Sequence, residues 1–172
     1  MSKVISILNC DKNFGIGKKG GLLFRLPLDM KMFRETTTGH AVAMGEATLL
    51  SFPNQKPLPN RINIVLSADY SHEYDGTVPA HTFEEFKRLI FEAKKQGDVY
   101  IIGGASIYRQ MLPYVDEVSL NKVDADGDAE VFFDNLDENE SFELISEREP
   151  VEDNGYITRL CIYKNKKPLP LI

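Results

Sequence analysis

The sequence predicts an α/β domain, a parallel sheet with helices on its faces and an antiparallel edge at the C-terminal end. Three observations predict it. Apolar, β-branched runs alternate with segments of helical period up to about residue 120, the pattern of parallel strands joined by crossover helices. Strand-like runs dominate afterwards, and the last two flank Asn154-Gly155, a hairpin turn pair. The chain has 172 residues, 42% hydrophobic and 27% charged, which suits one domain whose core needs no disulfide or metal staple.

The elements follow in order. "VISILN" (4–9) reads as a buried strand. "NFGIGKKGG" (13–21) is a glycine-rich loop. "LPLDMKMFRETTTG" (26–39) is a helix, with Pro27 at a first helical position and Gly39 as its stop. "HAVAMG" (40–45) is a short strand, "EATLLSF" (46–52) a short helix, and the proline-rich 53–60 a loop. "RINIVLS" (61–67) is a strand. Thr82-Phe-Glu-Glu85 has capping-box spacing, and Phe86, Leu89, Ile90 and Ala93 continue at helical period. "DVYIIGG" (98–104) is a strand ending in paired glycines, "ASIYRQML" (105–112) a helix stopped by Pro113, and "VDEVSLNKVD" (115–124) a strand. Residues 142–164 form two strands around Asn154-Gly155, and the acidic stretch 124–143 is a solvated surface.

Composition narrows the function. The net charge of −6 opposes a general nucleic-acid binder, which shows a basic stripe. Cys10 and Cys161 lie in apolar runs and read as free, buried thiols of a reducing compartment. No apolar stretch reaches the roughly 20 residues of a membrane helix. "VISIL" is too short for a signal peptide and soon meets Asp11, so the expected location is cytoplasmic. His40, His72 and His81 are scattered and read as surface or structural residues. No His/Cys/Asp/Glu group has metal-ligand spacing, no second acid near Asp29 makes a glycosidase pair, and no G-x-S-x-G elbow occurs.

Three motifs remain. Gly15-Ile-Gly17-Lys-Lys-Gly20 spells G-x-G-x-x-G, but Gly21 and nearby Pro27 oppose the helix that a dinucleotide turn requires. The segment is either a connector or a flap over a site at the strand's carboxyl end. Gly103-Gly104, between a strand and a helix, is either a tight turn or a cradle where a pyrophosphate approaches bare backbone. Asp29 lies in the first helical turn among Leu26, Leu28, Met30, Met32 and Phe33. It either complements the helix dipole or, desolvated with a raised pKa, grips a flat nitrogen heterocycle through two hydrogen bonds.

From about residue 3 to residue 164 the chain resembles dihydrofolate reductase. The resemblance rests on "GIG" after the first strand, "LPLDMKMFRETT", "AVAMGEATLLSF", "KPLPNRINIVLS", "VYIIGGASIY" and "VDEVSLNKVDAD", in that order. It implies a single domain spanning residues 1–172, with an eight-stranded, mostly parallel sheet, an antiparallel C-terminal edge and helices on both faces. It implies hydride transfer from NADPH to 7,8-dihydrofolate, giving tetrahydrofolate for one-carbon and thymidylate metabolism. The expected partners are dihydrofolate and antifolate-type small molecules, with no nucleic acid and no membrane, and a monomer is expected. By position the resemblance makes Asp29 the expected active-site carboxylate, accompanied by Phe24 and Asn121. Ile7, Leu8, Phe33, Phe52, Leu58 and Ile102 line the substrate slot. Arg61 matches the family's arginine that pairs with the substrate's glutamate α-carboxylate, and Arg34 is expected to add positive potential. Ile16, Gly17, Gly45, Glu46, Thr48, Leu66, Ser67, Gly103, Gly104, Ser106 and Tyr108 take cofactor positions. Residues 13–23 then correspond to the family's mobile loop over nicotinamide and pterin.

The sequence departs from the family pattern in places. Leu22-Leu23-Phe24 replaces Leu-Pro-Trp, which removes an N–H that helps hold a water over the substrate. Asn121 stands where a threonine commonly bridges to the carboxylate. Glu46 replaces an arginine that faces the phosphates, including the 2′-phosphate; Ala68 replaces a frequent hydroxyl, and Ser106 a second basic residue. NADPH preference over NADH is therefore open. Either Glu46 weakens it, or Glu46 points to solvent while other groups, such as Lys3 or His81, cover the phosphate. Two other readings share the sheet: a pteridine or pyrimidine reductase of riboflavin metabolism, and an inactive folate-binding module.

Overall fold

The computed structural model describes residues 1–19, 21–69 and 74–172; Gly20 and His72 lie outside these. The elements are β1 (Val4–Cys10), β2 (Gly15–Gly17), α1 (Pro27–Thr37), β3 (Ala41–Gly45), α2 (Glu46–Leu50), a 3-10 turn (Pro53–Gln55) and β4 (Ile62–Leu66). Then come β5 (Thr77–Ala80), α3 (Phe83–Lys94), β6 (Val99–Ile101), α4 (Ala105–Met111) and β7 (Glu117–Val123). β8 (Val131–Phe132), β9 (Phe142–Glu147), β10 (Val151–Asp153) and β11 (Tyr156–Asn165) complete the chain.

The main sheet runs β10-β11-β7-β1-β6-β3-β4-β5. Every pairing from β7 to β5 is parallel. β11 runs antiparallel to β7 and, on its other side, to both β10 and β9. β10 occupies the lane beside Tyr156–Thr158 and β9 the same lane beside Cys161–Asn165, so nine strands fill eight lanes. The expected eight-stranded sheet with an antiparallel C-terminal edge is what forms.

Period-two alternation puts a core on each face. Ala41 and Ala43 of β3 face α3 and α4, packing with Ile64, Phe86, Ile90 and Met111. Val42 and Met44 face the other way, with Leu49 of α2, Val65 and Tyr100. α3 begins as its spacing predicts, the Thr82 hydroxyl accepting from Glu85 N at 3.1 Å. The Glu85 carboxylate reaches back one residue further than a capping box requires, to His81 N at 3.3 Å. Asn154 (φ 54°) and Gly155 (φ 86°) are both left-handed, as a tight hairpin between twisted strands demands. Cys10 and Cys161 are free and buried, and burial pushes the Cys10 thiol up to about 12.

Four short strands depart from the sequence expectation. β5, "TVPA", is the outermost strand, where Pro79 is tolerated because one side of the strand needs no ladder donor. β10 makes the expected two-stranded hairpin a three-stranded edge. β2 lies inside the glycine-rich loop and pairs with β8 inside the acidic stretch. That stretch keeps its carboxylates in solvent but anchors itself by burying Phe133 and Leu136.

Asp11, only 2% exposed, ties this ribbon to the sheet. Its Oδ1 accepts from Asn13 N (2.8 Å) and Gly15 N (2.7 Å), and its Oδ2 from Gly127 N (3.0 Å). A Cβ on Gly15 would lie 2.3 Å from that of Ala129, so only glycine lets the two segments touch. Asp11→Ala orphans three backbone donors. It should lower unfolding free energy by about 2–4 kcal/mol, read as a lower urea midpoint.

Candidate active site

Asp29 is the third residue of α1, whose first turn is capped from outside the helix. The Leu26 cap position supplies no side-chain bond. Instead Asp153, at the end of β10, accepts from Leu28 N (3.1 Å, Oδ1) and Asp29 N (3.0 Å, Oδ2), satisfying two orphan donors of the turn. The adjacent Asn154 donates from Nδ2 to Arg25 O at 2.9 Å. The C-terminal hairpin therefore fixes where α1 starts and so where Asp29 stands.

Both oxygens of Asp29 are held by amides. Asn9 Nδ2 donates to Oδ2 at 3.1 Å and Asn121 Nδ2 to Oδ1 at 3.0 Å. Asn9 and Asn121 are register partners in the parallel β1–β7 pair, so one rung of the sheet presents both donors. Burial raises the Asp29 carboxyl above its ordinary 3.8; the two amides pull it back, and the charge of Asp153 pushes it up again. An ionised carboxylate offers about four lone-pair sites, so each oxygen keeps capacity for a ligand N–H.

The expected substrate-contacting residues lie on the face carrying α2. Half-buried Ile7, Phe52, Leu58 and Ile102 pack over the Val42, Met44 and Tyr100 cluster. Half-buried Phe33 is one turn beyond Asp29 on α1. Leu8 differs from expectation: it packs against the α3/α4 core, because neighbouring strand residues point to opposite faces. Phe24 differs too. It is buried with Leu26 and Val123, edge-on to Tyr156 at 4.8 Å between centroids, so it packs the chain entering α1 and carries no group for proton handling. On the hairpin side of Asp29 a cavity of about 170 Å³ is lined by Asn121, Asp153, Arg148, Met32 and Thr158, space for several waters at ~30 Å³ each.

Arg61 stands at the entrance to β4. Its Nε donates to Pro59 O and its Nη1 to the buried Thr37 hydroxyl, both at 2.9 Å. Thr37 is fixed in turn on Phe33 O at 2.8 Å. The buttressed guanidinium keeps donors for a carboxylate, and nearby Arg34 adds positive charge, felt as a lowered Arg61 pKa after burial itself.

Of the other expected site residues, Gly103–Gly104, Gly45 and Leu66–Ser67 stand at the carboxyl ends of β6, β3 and β4, Glu46 and Thr48 are on α2, Ser106 and Tyr108 on α4, and Ile16 and Gly17 on β2. Gly103 (φ 115°) sits where a Cβ would come within 3.2 Å of the Tyr108 ring, and Gly45 where one would come within 3.0 Å of Ile107. The Gly103–Gly104 peptide is cis. Thr48 Oγ1 is 3.6 Å from where a Gly104 side chain would begin, leaving bare backbone beside a hydroxyl. Tyr108 donates to Ile7 O at 2.8 Å, so its hydroxyl locks β1. Ser106 is exposed and accepts from Gln110, while Ile16 packs on the core beside Gly17 and Leu66 is half-buried at the end of β4. Glu46 does not point into open solvent: it accepts from Ser67 Oγ (2.7 Å) and Tyr74 OH (3.0 Å). His81 Nδ1 lies 3.1 Å from Ser67 O, and His40 is edge-on to Tyr100. Among the described residues no group of three His, Cys, Asp or Glu could hold a metal, and no helix is long and apolar enough to cross a membrane.

Sequence reasoning missed Asn9, Asp153 and Tyr74. Asn9 had a signal, a polar residue closing an apolar strand. Asp153 beside Asn154-Gly155 reads only as turn chemistry, and Tyr74 follows residues with no regular pattern.

Two outcomes follow from the electrostatics. Neutralising the like charge in Asp153→Asn should lower the Asp29 titration midpoint, read from its side-chain carboxyl carbon by NMR. Asp29 also has a raised folded pKa, so the folded state keeps its proton to higher pH than the unfolded chain. Wild-type stability relative to Asp29→Asn should therefore fall as pH rises from 3.8 through the folded value and level off above it, measured by urea unfolding across pH.

A family model described as dihydrofolate reductase matches residues 3–165. The dihydrofolate reductase of Bacillus subtilis is 30% identical over 162 residues, 93% of each chain. That of Haemophilus influenzae is 33% identical over 152 residues, 88% of this chain and 91% of the relative. Among solved structures, the dihydrofolate reductase of Enterococcus faecalis, complexed with NADP(H) and RAB-propyl, superposes with a TM-score of 0.83. It is 27% identical, over 96% of this chain and 97% of its own. The match runs over nearly the whole length in sequence and in structure, and the chain belongs to the dihydrofolate reductase family.

Proposed function

We infer that this chain reduces 7,8-dihydrofolate to 5,6,7,8-tetrahydrofolate with hydride from NADPH. The observation that carries the reading is Asp29, half-buried and held by two neutral amides rather than by a cation. A lysine or arginine partner would cancel the charge; amides leave it available to a ligand.

The pterin lies in the slot between Ile7, Phe33, Phe52 and Ile102. Asp29 accepts from its ring N–H and exocyclic amino group, a charge-assisted bidentate pair. Asn9 and Asn121 fix the plane of the carboxylate, and Asp153 fixes the turn that carries it. The benzoyl-glutamate tail runs out past Leu58 to Arg61, whose pinned fork takes the α-carboxylate. This pairing favours folate over riboflavin intermediates, which have no such tail.

The crevice fits a dinucleotide. Bare backbone at Gly103–Gly104 and the Thr48 hydroxyl would hold the diphosphate, and Ile16, Gly17 and Gly45 would flank the nicotinamide. When bound, the cofactor supplies the hydride. Asp29 polarises the pterin so that the ring nitrogen beside the acceptor carbon takes its proton from water, and the cavity on the hairpin side gives water a place against the same carboxylate. Phe24 contributes packing.

Asp29→Asn keeps the shape and removes the charge. It should lower kcat/KM for dihydrofolate by about 100-fold or more, roughly 2.7 kcal/mol, and less at low pH where the substrate is already protonated. A mutant within about threefold of wild type would remove Asp29 from the mechanism. Arg61→Gln should raise KM for dihydrofolate by about tenfold with kcat little changed, yet leave a tail-less dihydropterin unaffected. Equal effects on both substrates would show that Arg61 only supports α1 through Thr37.

A further inference from the structure

The carboxyl ends of the parallel strands form a graded edge. Beginning at the Asp29 rung on β1 and β7, the lanes run β6, β3, β4, β5. Ligands of such sheets lie along this edge. From β1 to β4 is three strand spacings, roughly 14 Å, a reach that an extended dinucleotide matches. A cofactor held with its nicotinamide at β1 and β6 and its diphosphate over Gly103–Gly104 would bring its adenosine ribose to the ends of β3 and β4.

Glu46 stands there, directly after Gly45 of β3. Its Oε2 takes both protein donors, the hydroxyls of Ser67 (2.7 Å) and Tyr74 (3.0 Å). These donors are neutral, and Oε1 takes none among the described residues. Ser67 is itself 5% exposed at the end of β4, and Asp69 N approaches its Oγ at 3.3 Å, so the carboxylate is seated rather than waving in solvent. Lys3 cannot compensate: it pairs with Glu117 at 2.7 Å at the opposite, amino-terminal edge of the sheet. His81 adjoins, with Nδ1 at the Ser67 carbonyl oxygen.

A carboxylate anchored this way accepts from a ribose 2′-hydroxyl and repels a 2′-phosphate. This is the chemistry by which an acidic residue selects NAD and an arginine selects NADP in other dinucleotide sites. We propose that Glu46, seated on Ser67 and Tyr74, is the cofactor-specificity residue of this enzyme and makes NADH an effective hydride donor beside NADPH. The inference rests on the reductase reading and concerns only the adenosine end of the cofactor.

The experiment takes the intact protein as wild type, Glu46→Gln and Glu46→Arg. It measures kcat/KM for NADPH and NADH with saturating dihydrofolate, and the affinities of NADP⁺ and NAD⁺ by calorimetry. The expected wild-type preference for the phosphorylated form is below about 100-fold in both readouts, and each variant raises it by about threefold or more. A preference of about 100-fold or more in wild type, or one unchanged in Glu46→Gln, overturns the proposal. Glu46→Gln keeps the side chain's size and its acceptor oxygen, so it serves where the arginine disturbs folding. Absence of dihydrofolate turnover with either donor would strike the reductase reading alone, because the two oxidised cofactors are still compared by binding.

Discussion

A carboxylate taken partly out of water must be compensated, and the kind of compensation decides what it can do. Asp29 is held by two side-chain amides on neighbouring parallel strands. Amides stabilise the charge without cancelling it, so burial still wins and the carboxyl sits above its ordinary range. The rest of the site serves that balance. The β1–β7 register brings Asn9 level with Asn121, Tyr108 locks the strand carrying Asn9, and Asp153 sets the helix start. A one-residue slip of β7 would turn Asn121 to the opposite face and leave Asp29 with one donor.

The same logic extends along the sheet. Parallel strands all end at one edge, so residues far apart in sequence line one crevice. Asp29, Asn9 and Asn121 occupy one end of it; Gly103, Gly104 and Gly45 supply bare backbone in the middle; Ser67 and Glu46 mark the other end. Arg61 lies off this line, at the entrance to β4, which is where the proposed reading puts the substrate's tail. The division follows from topology: in a parallel sheet the strand exits share one edge, and the proline-rich approach to β4 lies at the other.

Strand alternation, Pro27 and the Asn154-Gly155 pair made the sheet order class, α1 and the C-terminal hairpin legible in the sequence. Short elements were not. β2, β5, β8 and β10 have two to four residues each, too few for a period to show, and they exist because a neighbour supplies the ladder. Asp29, Arg61 and the glycines were legible through motif order. Asn9 and Asp153 were not, because their roles depend on which strands become neighbours. Leu8 shows the converse: the resemblance implies a wall shared with Ile7, and strand alternation puts Leu8 on the opposite face.

Three consecutive residues at the end of β1 carry separate duties. Asn9 holds the acid, Cys10 fills the core, and Asp11 gathers three backbone donors from the glycine loop and the acidic loop. Alternation requires Asn9 and Asp11 to share a side of the strand while Cys10 takes the other. The segment that carries Ile16 and Gly17 is thereby pinned two residues from the amide that orients Asp29. Placement of the glycine-rich segment and placement of the Asp29 carboxylate are set by one short stretch, and the G-x-G-x-x-G spelling is a by-product. Its first glycine is needed for contact with Ala129, and its second pairs with β8.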